Sequence, residues 1–276
     1  MSTSSYRLPD FAEDVRSSYS AEKPETFWEC ESAVKRLLTG GVVPTWFNEQ
    51  LTALRADPQL LGDWVAKEVI LHRGSRWAVS VALFDTPRRY IHGLPYFAFY
   101  APLAGASLAA NRYRLPPGYR NEVFDPALRL EPAGFVNVDA GNVLPMRTDQ
   151  FAYDFHVTAP VPVLRFATAP VRSLEWLFSK STLQAWQAND ATVTYTQLRV
   201  AATVLGKVAH QSSIEPLRRL AGHPHHAVRW AAIQNLGRLS RSEALARIRE
   251  AVNDPHPHVR RAAQKTLDQL ERRTAR

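Results

Sequence analysis

The stretch Ile214–Leu239 (IEPLRRLAGHPHHAVRWAAIQNLGRL) superposes on Leu245–Leu270 (LARIREAVNDPHPHVRRAAQKTLDQL) at a constant offset of 31 residues. Pro224 falls on Pro255, Val228 on Val259, Arg229 on Arg260, Ala232 on Ala263, Leu236 on Leu267 and Leu239 on Leu270. A period of this length spells a helix-pair solenoid, because one pair cannot bury its apolar stripe alone and has to stack on a neighbour. A degenerate copy comes first. Leu198-Arg199-Val200-Ala201-Ala202 with Leu205-Gly206 matches Val228-Arg229-Trp230-Ala231-Ala232 with Leu236-Gly237, one residue being deleted. Three helix pairs are therefore expected, at about 180–208, 212–239 and 243–270, which meets the minimum for a stable stack.

The 276 residues, 45% hydrophobic and 10% aromatic, suffice for two globular domains of ordinary size. No apolar run approaches the ~20 residues that a membrane span needs. The polar N-terminus (MSTSSYRLPDFAEDVRSS) lacks the apolar core of a secretory signal. A single cysteine, Cys30, cannot form an internal disulfide, which fits a reducing cytoplasm. Its apolar neighbours predict a buried, inert thiol. Charge is unevenly spread: Gln197–Arg276 holds 15 Lys/Arg against 6 Asp/Glu, and the remaining 196 residues hold 19 against 20. The net +8 thus sits entirely on the repeat region.

Residues 1–24, serine-rich, charged and without periodicity, are expected to form a disordered tail. A helix is predicted to open at Thr26 with a Thr-x-x-Glu capping box to Glu29 and to end at Gly40-Gly41; a second spans about Thr45–Ala56. From Glu68 the period becomes two. Strands are predicted at Arg76–Asp85, Tyr96–Leu103, Ser107–Leu115, Ala127–Glu131, Phe135–Val138, Phe151–Val157 and Val163–Thr168, punctuated by Pro and Gly. Many short strands of this kind argue for an antiparallel sandwich or barrel. Helical pattern is expected to resume near Ser173, giving helices plus β-barrel over 25–178 and helical repeats over 179–276.

The run Asp254-Pro255-His256-Pro257-His258-Val259-Arg260-Arg261-Ala262-Ala263 resembles the HEAT-like repeats of the phycobilisome-lyase type, in which an Asp-Pro turn leads into a Val-Arg-x-x-Ala-Ala helix. Asp-Pro makes the turn, Pro257 suits a first helical position, and the alanines let helices approach closely. The resemblance implies that Arg229 and Arg260 bond inter-repeat loops and acidic groups. Iron-binding members of that superfamily carry His-Glu directly after Val-Arg. Here Trp230-Ala231 and Arg261-Ala262 stand there, which excludes a hydroxylase of that kind.

Five histidines crowd two consecutive inter-helix loops: His223, His225 and His226, then His256 and His258. Stacked loops could bring imidazoles together for Zn or Ni; the plainer expectation is turn and cap roles with no metal bound. The surplus arginines also read two ways. HEAT-like DNA glycosylases grip phosphates with a concave basic face, whereas arginines on a solenoid more often face solvent, an acidic protein or the next repeat.

In the β region, Val69–Trp77, Ile91-His92-Gly93-Leu94 and Leu103-Ala104-Gly105 resemble the cupin fold, closest to its thiol-dioxygenase branch. That branch implies three imidazoles holding Fe(II). His92 matches the first ligand, but the second falls on Leu94 and the third on Gly141-Asn142-Val143-Leu144, where no histidine occurs. The branch's Ser-x-His-x-Tyr element aligns with Asp154-Phe155-His156-Val157-Thr158, keeping only its histidine. His92 and His156 are expected to face one interior with Tyr96, Tyr100, Arg147 and Tyr153, lining either a small-molecule pocket or a filled core.

The resulting expectation is a multidomain α+β chain: N-terminal helices and a cupin-like antiparallel barrel without metal or cofactor, then a HEAT-like solenoid. It reads as a non-enzymatic scaffold whose Arg229, Arg238, Arg260 and Arg261 dock an acidic protein partner. The alternatives are a divergent metal-dependent cupin oxygenase or isomerase using His92 and His156, and a nucleic-acid-binding HEAT-like protein.

Overall fold

The computed structural model describes residues 6–59, 64, 65 and 67–274, which divide into two compact units: 1–119 with 125–188, and 120–124 with 189–276.

In the first unit, helices α1 (Leu8–Ser18), α2 (Glu31–Thr39) and α3 (Val42–Ala56) precede twelve strands, a 3-10 helix at Pro24–Cys30 lying between α1 and α2. The strands are β1 (Trp64–Val65), β2 (Glu68–Arg73), β3 (Trp77–Phe84), β4 (Tyr90–Gly93), β5 (Ala98–Pro102) and β6 (Ser107–Arg114). They continue as β7 (Glu131–Asp139), β8 (Leu144–Met146), β9 (Phe151–His156), β10 (Val161–Thr168), β11 (Leu174–Ser179) and β12 (Ala185–Asp190). One sheet has the order β1-β2-β3-β10-β5-β8 and the other β12-β11-β4-β9-β6-β7, all neighbours for which a register is given being antiparallel. Counted from β3, the eight strands β3 to β10 fall as 1-8-3-6 in one sheet and 2-7-4-5 in the other. This is the two-Greek-key jelly-roll order, the architecture that includes cupins.

Alternation along the strands separates two cores. Ala98, Tyr100 and Val163 join Leu108, Ala110 and Tyr153 of the other sheet in the space between the sheets. Their neighbours Phe99, Ala101, Leu164 and Phe166 point the other way, into a layer with Phe11, Val15, Phe27, Val34 and Leu37. The first sheet is thus buried on both faces, which is why all five residues of β5 are buried.

The expectation of a disordered tail is corrected for residues 8–18. Phe11, Ala12 and Val15 form the buried stripe of α1, and the Phe11 ring meets Trp77 at 5.8 Å and Phe166 at 5.2 Å. Met1–Ser5 lie outside the described residues. Thr26 does not cap an α-helix; its hydroxyl donates to the Lys23 carbonyl and accepts from Ser20 N–H, tying the turn before the 3-10 helix. Helix α3 begins at Val42, three residues before Thr45, because Pro44 is tolerated in a first turn whose N–H groups need no helical partner. Leu174–Ser179 and Ala185–Asp190 are strands where helix was expected; Leu174, Trp176 and Phe178 are buried in alternation. The expected boundary at 178/179 accordingly moves to 188/189.

The second unit contains α4 (Val193–Val208), α5 (Ile214–Ala221), α6 (His226–Leu236), α7 (Arg241–Ala251) and α8 (Pro257–Thr274). The two good repeats are the pairs α5/α6 and α7/α8, and the degenerate one keeps only its second helix, α4. Repeat-equivalent Val228 and Val259, and Ala232 and Ala263, are all buried. Helix α4 approaches α6 at Gly206, where an added Cβ would lie 2.4 Å from Asn235 Oδ1 and 2.6 Å from its Cβ.

Gly206→Ala is therefore expected to destabilise the solenoid by about 1–3 kcal/mol through overpacking. Gly237→Ala, at a right-handed position whose nearest atom is Gln234 O at 3.3 Å, should stay within about 1 kcal/mol of wild type. Thermal denaturation of both variants checks the contrast.

Candidate functional site

Of the six barrel residues expected to converge, the structure brings four together. In register, His92 on β4 faces Tyr153 on β9 and Leu177 on β11, so these share the inner face. Two residues along β11, Glu175 Oε1 lies 2.8 Å from His92 Nδ1. Tyr100 is 1% exposed, and its hydroxyl is 3.5 Å from that of Tyr96, whose ring lies under the Arg165 guanidinium at 5.4 Å. The other two residues depart from expectation. Arg147 places its guanidinium 4.3 Å over the Trp28 ring in the 3-10 helix. His156 follows Tyr153 by three residues, so β alternation turns it to the opposite, exposed face beside Phe135.

Apolar side chains pack between the sheets. Phe84, Tyr100 and Phe155 meet ring to ring at 5.5, 5.7 and 5.8 Å, with Leu108, Met146 and Val163 buried around them. Leu94, at the second ligand position of the thiol-dioxygenase pattern, is part of this core. Sequence reasoning missed Glu175, since the stretch holding it was read as helix. Outside the barrel, Cys30 is 1% exposed, and burial pushes its thiol pKa up to about 12.

In the solenoid, arginines and histidines interlock in the loops. Arg229 grips Asp254 of the next loop with Nε–Oδ2 at 2.9 Å and Nη2–Oδ1 at 2.6 Å. Its Nη1 donates to the carbonyls of His223 and Pro224 in its own loop. Arg260 repeats the second habit, donating to the Asp254 and Pro255 carbonyls. Burial alone would raise the Asp254 pKa, yet the Arg229 guanidinium holds it below the usual carboxylate value. Two of the four arginines expected to meet a partner thus hold the loops instead; Arg238 and Arg261 are exposed.

His225 and His256 occupy equivalent, buried positions. Their backbone N–H groups donate to His223 Nδ1 at 3.0 Å and Asp254 Oδ1 at 2.7 Å, a turn role shared by both loops. The rings form a run: Tyr195 stacks on His225 at 4.1 Å, His225 meets His226 at 4.8 Å, and His226 stacks on His256 at 3.7 Å with 2° between planes. His258 stands edge-on to His256 at 5.1 Å. Burial, then the neighbouring His256, pushes the His226 pKa down to about 3, and the same two causes lower that of His258. One ring nitrogen from each of His226, His256 and His258 lies within 4.8 Å of the others. The expected turn roles are present, but so is a convergence of three imidazoles.

Among the described residues of the helical unit, two apolar surfaces are open. Val193, Val200, Val204 and Val208 of α4 are 51–71% exposed. Between α7 and α8 runs a groove of about 980 Å³, lined by Leu245, Ile248, Leu267 and Leu270 together with the charged Arg241, Arg249 and Glu271. No helix among the described residues is long and apolar enough to cross a membrane.

The family of HEAT repeats matches residues 194–268. No curated protein matches the sequence. Among solved structures, the chain is similar to the hydroquinone 1,2-dioxygenase PnpCD in complex with Cd2+ and 4-hydroxybenzonitrile, at 11% identity and a TM-score of 0.31 over 43% of this chain and 71% of that one. The hydroquinone 1,2-dioxygenase of a Sphingomonas species, with 4-hydroxybenzoate bound, gives 12% identity and a TM-score of 0.30 over 42% and 72%. A conserved Klebsiella pneumoniae protein with a double-stranded β-helix domain gives 11% and 0.26 over 45% and 95%.

If the barrel interior is load-carrying core, Tyr100→Ala should lose about 3–5 kcal/mol, read from the urea midpoint. The raised pKa keeps Cys30 a neutral thiol through mildly alkaline pH, so a thiol reagent should label the urea-unfolded chain at pH ~8 but not the native one.

Proposed function

We propose that this chain is a non-enzymatic binding protein whose solenoid docks an acidic amphipathic segment of a partner protein in the α7/α8 groove. The groove itself carries the reading: leucine and isoleucine lining with two arginines against one acid, Glu271, suits a helix with one apolar face and acidic flanks. Stacked helix pairs offer extended surfaces of this kind to protein partners. The charge surplus supports it too, since Arg238 and Arg261 add exposed positive charge while Arg218 and Arg247 are paired with Glu243, Glu215 and Glu250. Positive potential over the groove would speed encounter with an acidic partner and fix its orientation.

The ring packing between the sheets supports the non-enzymatic half of the reading. Its one inner histidine is engaged by Glu175, and ligand entry would require Tyr100 and Phe155 to leave their packed positions. On this reading the barrel is a rigid platform.

The test is fluorescence anisotropy of a labelled helical peptide with a leucine stripe and glutamate flanks, titrated with the full chain. Binding is expected, weakened by about tenfold in Arg241→Glu/Arg249→Glu and by a similar factor in Leu245→Asp. Absence of binding, or binding indifferent to both variants, would overturn the proposal. Tighter binding to duplex DNA than to the peptide at about 50 mM salt, with a steep salt slope, would replace it with nucleic-acid recognition.

A further inference from the structure

The imidazole cluster in the inter-repeat loops has a use that partner docking does not absorb. We propose that His226, His256 and His258 form a binding site for a divalent d-block cation, Zn2+ foremost, with three protein ligands and a fourth position open to water or to a donor from outside the chain.

The first argument is distance. One nitrogen from each ring lies within 4.8 Å of the others. Tetrahedral Zn–N bonds of about 2.0–2.1 Å place ligand nitrogens about 3.3–3.4 Å apart, so closure needs a contraction of roughly 1.5 Å. The movable member is identifiable. His226 and His256 stack with planes 2° apart, so their lone pairs lie in separate parallel planes and cannot meet at one ion. Among the described residues no hydrogen bond holds the His226 ring, so a χ2 rotation out of the stack breaks no polar contact.

The second argument is independent of distance. His256 Nε2 lies 2.6 Å from the Glu122 carbonyl, and His258 hydrogen-bonds the backbone of Phe124. The short segment 120–124 therefore presents backbone acceptors to both rings. Ligand histidines are characteristically oriented this way, one N–H given to a carbonyl and the other nitrogen left bare for the metal. For His256 the remaining Nδ1 receives only the backbone N–H of His258 at 3.3 Å, a contact that a metal would displace. The nearby Arg229 charge is met by Asp254 in a bidentate pair, which tempers its repulsion of a cation.

The trio draws on two consecutive repeats, so bound metal would clamp α6 to α8. The three proposed ligands are all imidazoles drawn from adjoining repeats, and the site is inferred as a structural or regulatory clamp.

The chain, stripped with chelator and dialysed, would be titrated with Zn2+ by calorimetry and with Co2+ by visible absorption. One equivalent per chain is expected, with the intense d–d bands of four-coordinate Co2+ and a rise in melting temperature on Zn2+ addition. His226→Ala and His258→Ala should each weaken binding by at least about 100-fold, while His210→Ala and His156→Ala leave it unchanged. X-ray absorption of the Zn-loaded wild type needs no variant to fold, and should show three imidazole nitrogens at about 2.0 Å. Absence of binding at about a hundredfold excess Zn2+, fewer than three imidazoles in the metal shell, or stoichiometric binding retained in His226→Ala/His258→Ala would each overturn the site.

Discussion

The Arg229–Asp254 ion pair is the constraint on which the helical unit depends. Both side chains are largely buried, at 12% and 8% exposure, and the guanidinium meets the carboxylate with two parallel bonds. Removing one member of such a pair generally costs about 3–5 kcal/mol, because the other charge is stranded. The pair also works by geometry. Arg229 holds the carbonyls of its own loop with the same guanidinium, so two loops one repeat apart are fixed at a single spacing. That spacing sets His226 against His256 and brings His258 alongside. The imidazole cluster thus follows from the tie between repeats, and Arg229, expected from the sequence to dock a partner, is an internal strut.

The β unit is governed by a different constraint, burial from two sides. Three helices and a 3-10 turn cover the outer face of the first sheet, and the second sheet covers the inner face. Phe11, Phe27 and Phe166 interlock across the outer boundary, with Phe27 and Phe166 at 4.7 Å. Tyr100, Phe84 and Phe155 do so across the inner one. A jelly roll that carries its metal on inward histidines needs room inside. Here leucine, methionine and aromatic rings pack between the sheets, and Leu94 is among them.

The repeats were legible because their period is carried by many residues at once: Val228/Val259, Arg229/Arg260 and Ala232/Ala263 recur with the helical stripe. The antiparallel strands were legible from alternation. Short apolar runs were not. Leu174–Ser179 satisfies a helical and an extended pattern equally over six residues, and only its partner β4 decides between them. Helix α1 hid in a serine-rich stretch because its stripe is just Phe11, Ala12 and Val15, and its stability comes from the sheet it covers. The site was the least legible part. His226 aligns with Pro257, and His258 with Ala227, so the trio is not related by the repeat. Its convergence rests on ring rotations and on the Glu122 and Phe124 backbone, which no spacing rule encodes. The opposite facing of His92 and His156, by contrast, follows from strand parity and registration.

The degenerate repeat has a further meaning. Helix α4 has lost its first-helix companion and touches the stack through one flank, where Gly206 lets it sit almost backbone-close to Asn235. In a one-dimensional array, coupling runs only between nearest neighbours, so an element with a single interface has the least to lose on opening. The two ends of the array, α4 and α8, should therefore open before its middle. A molecule covering the bare valines would act as an end-stop, and its arrival would be felt layer by layer down the stack.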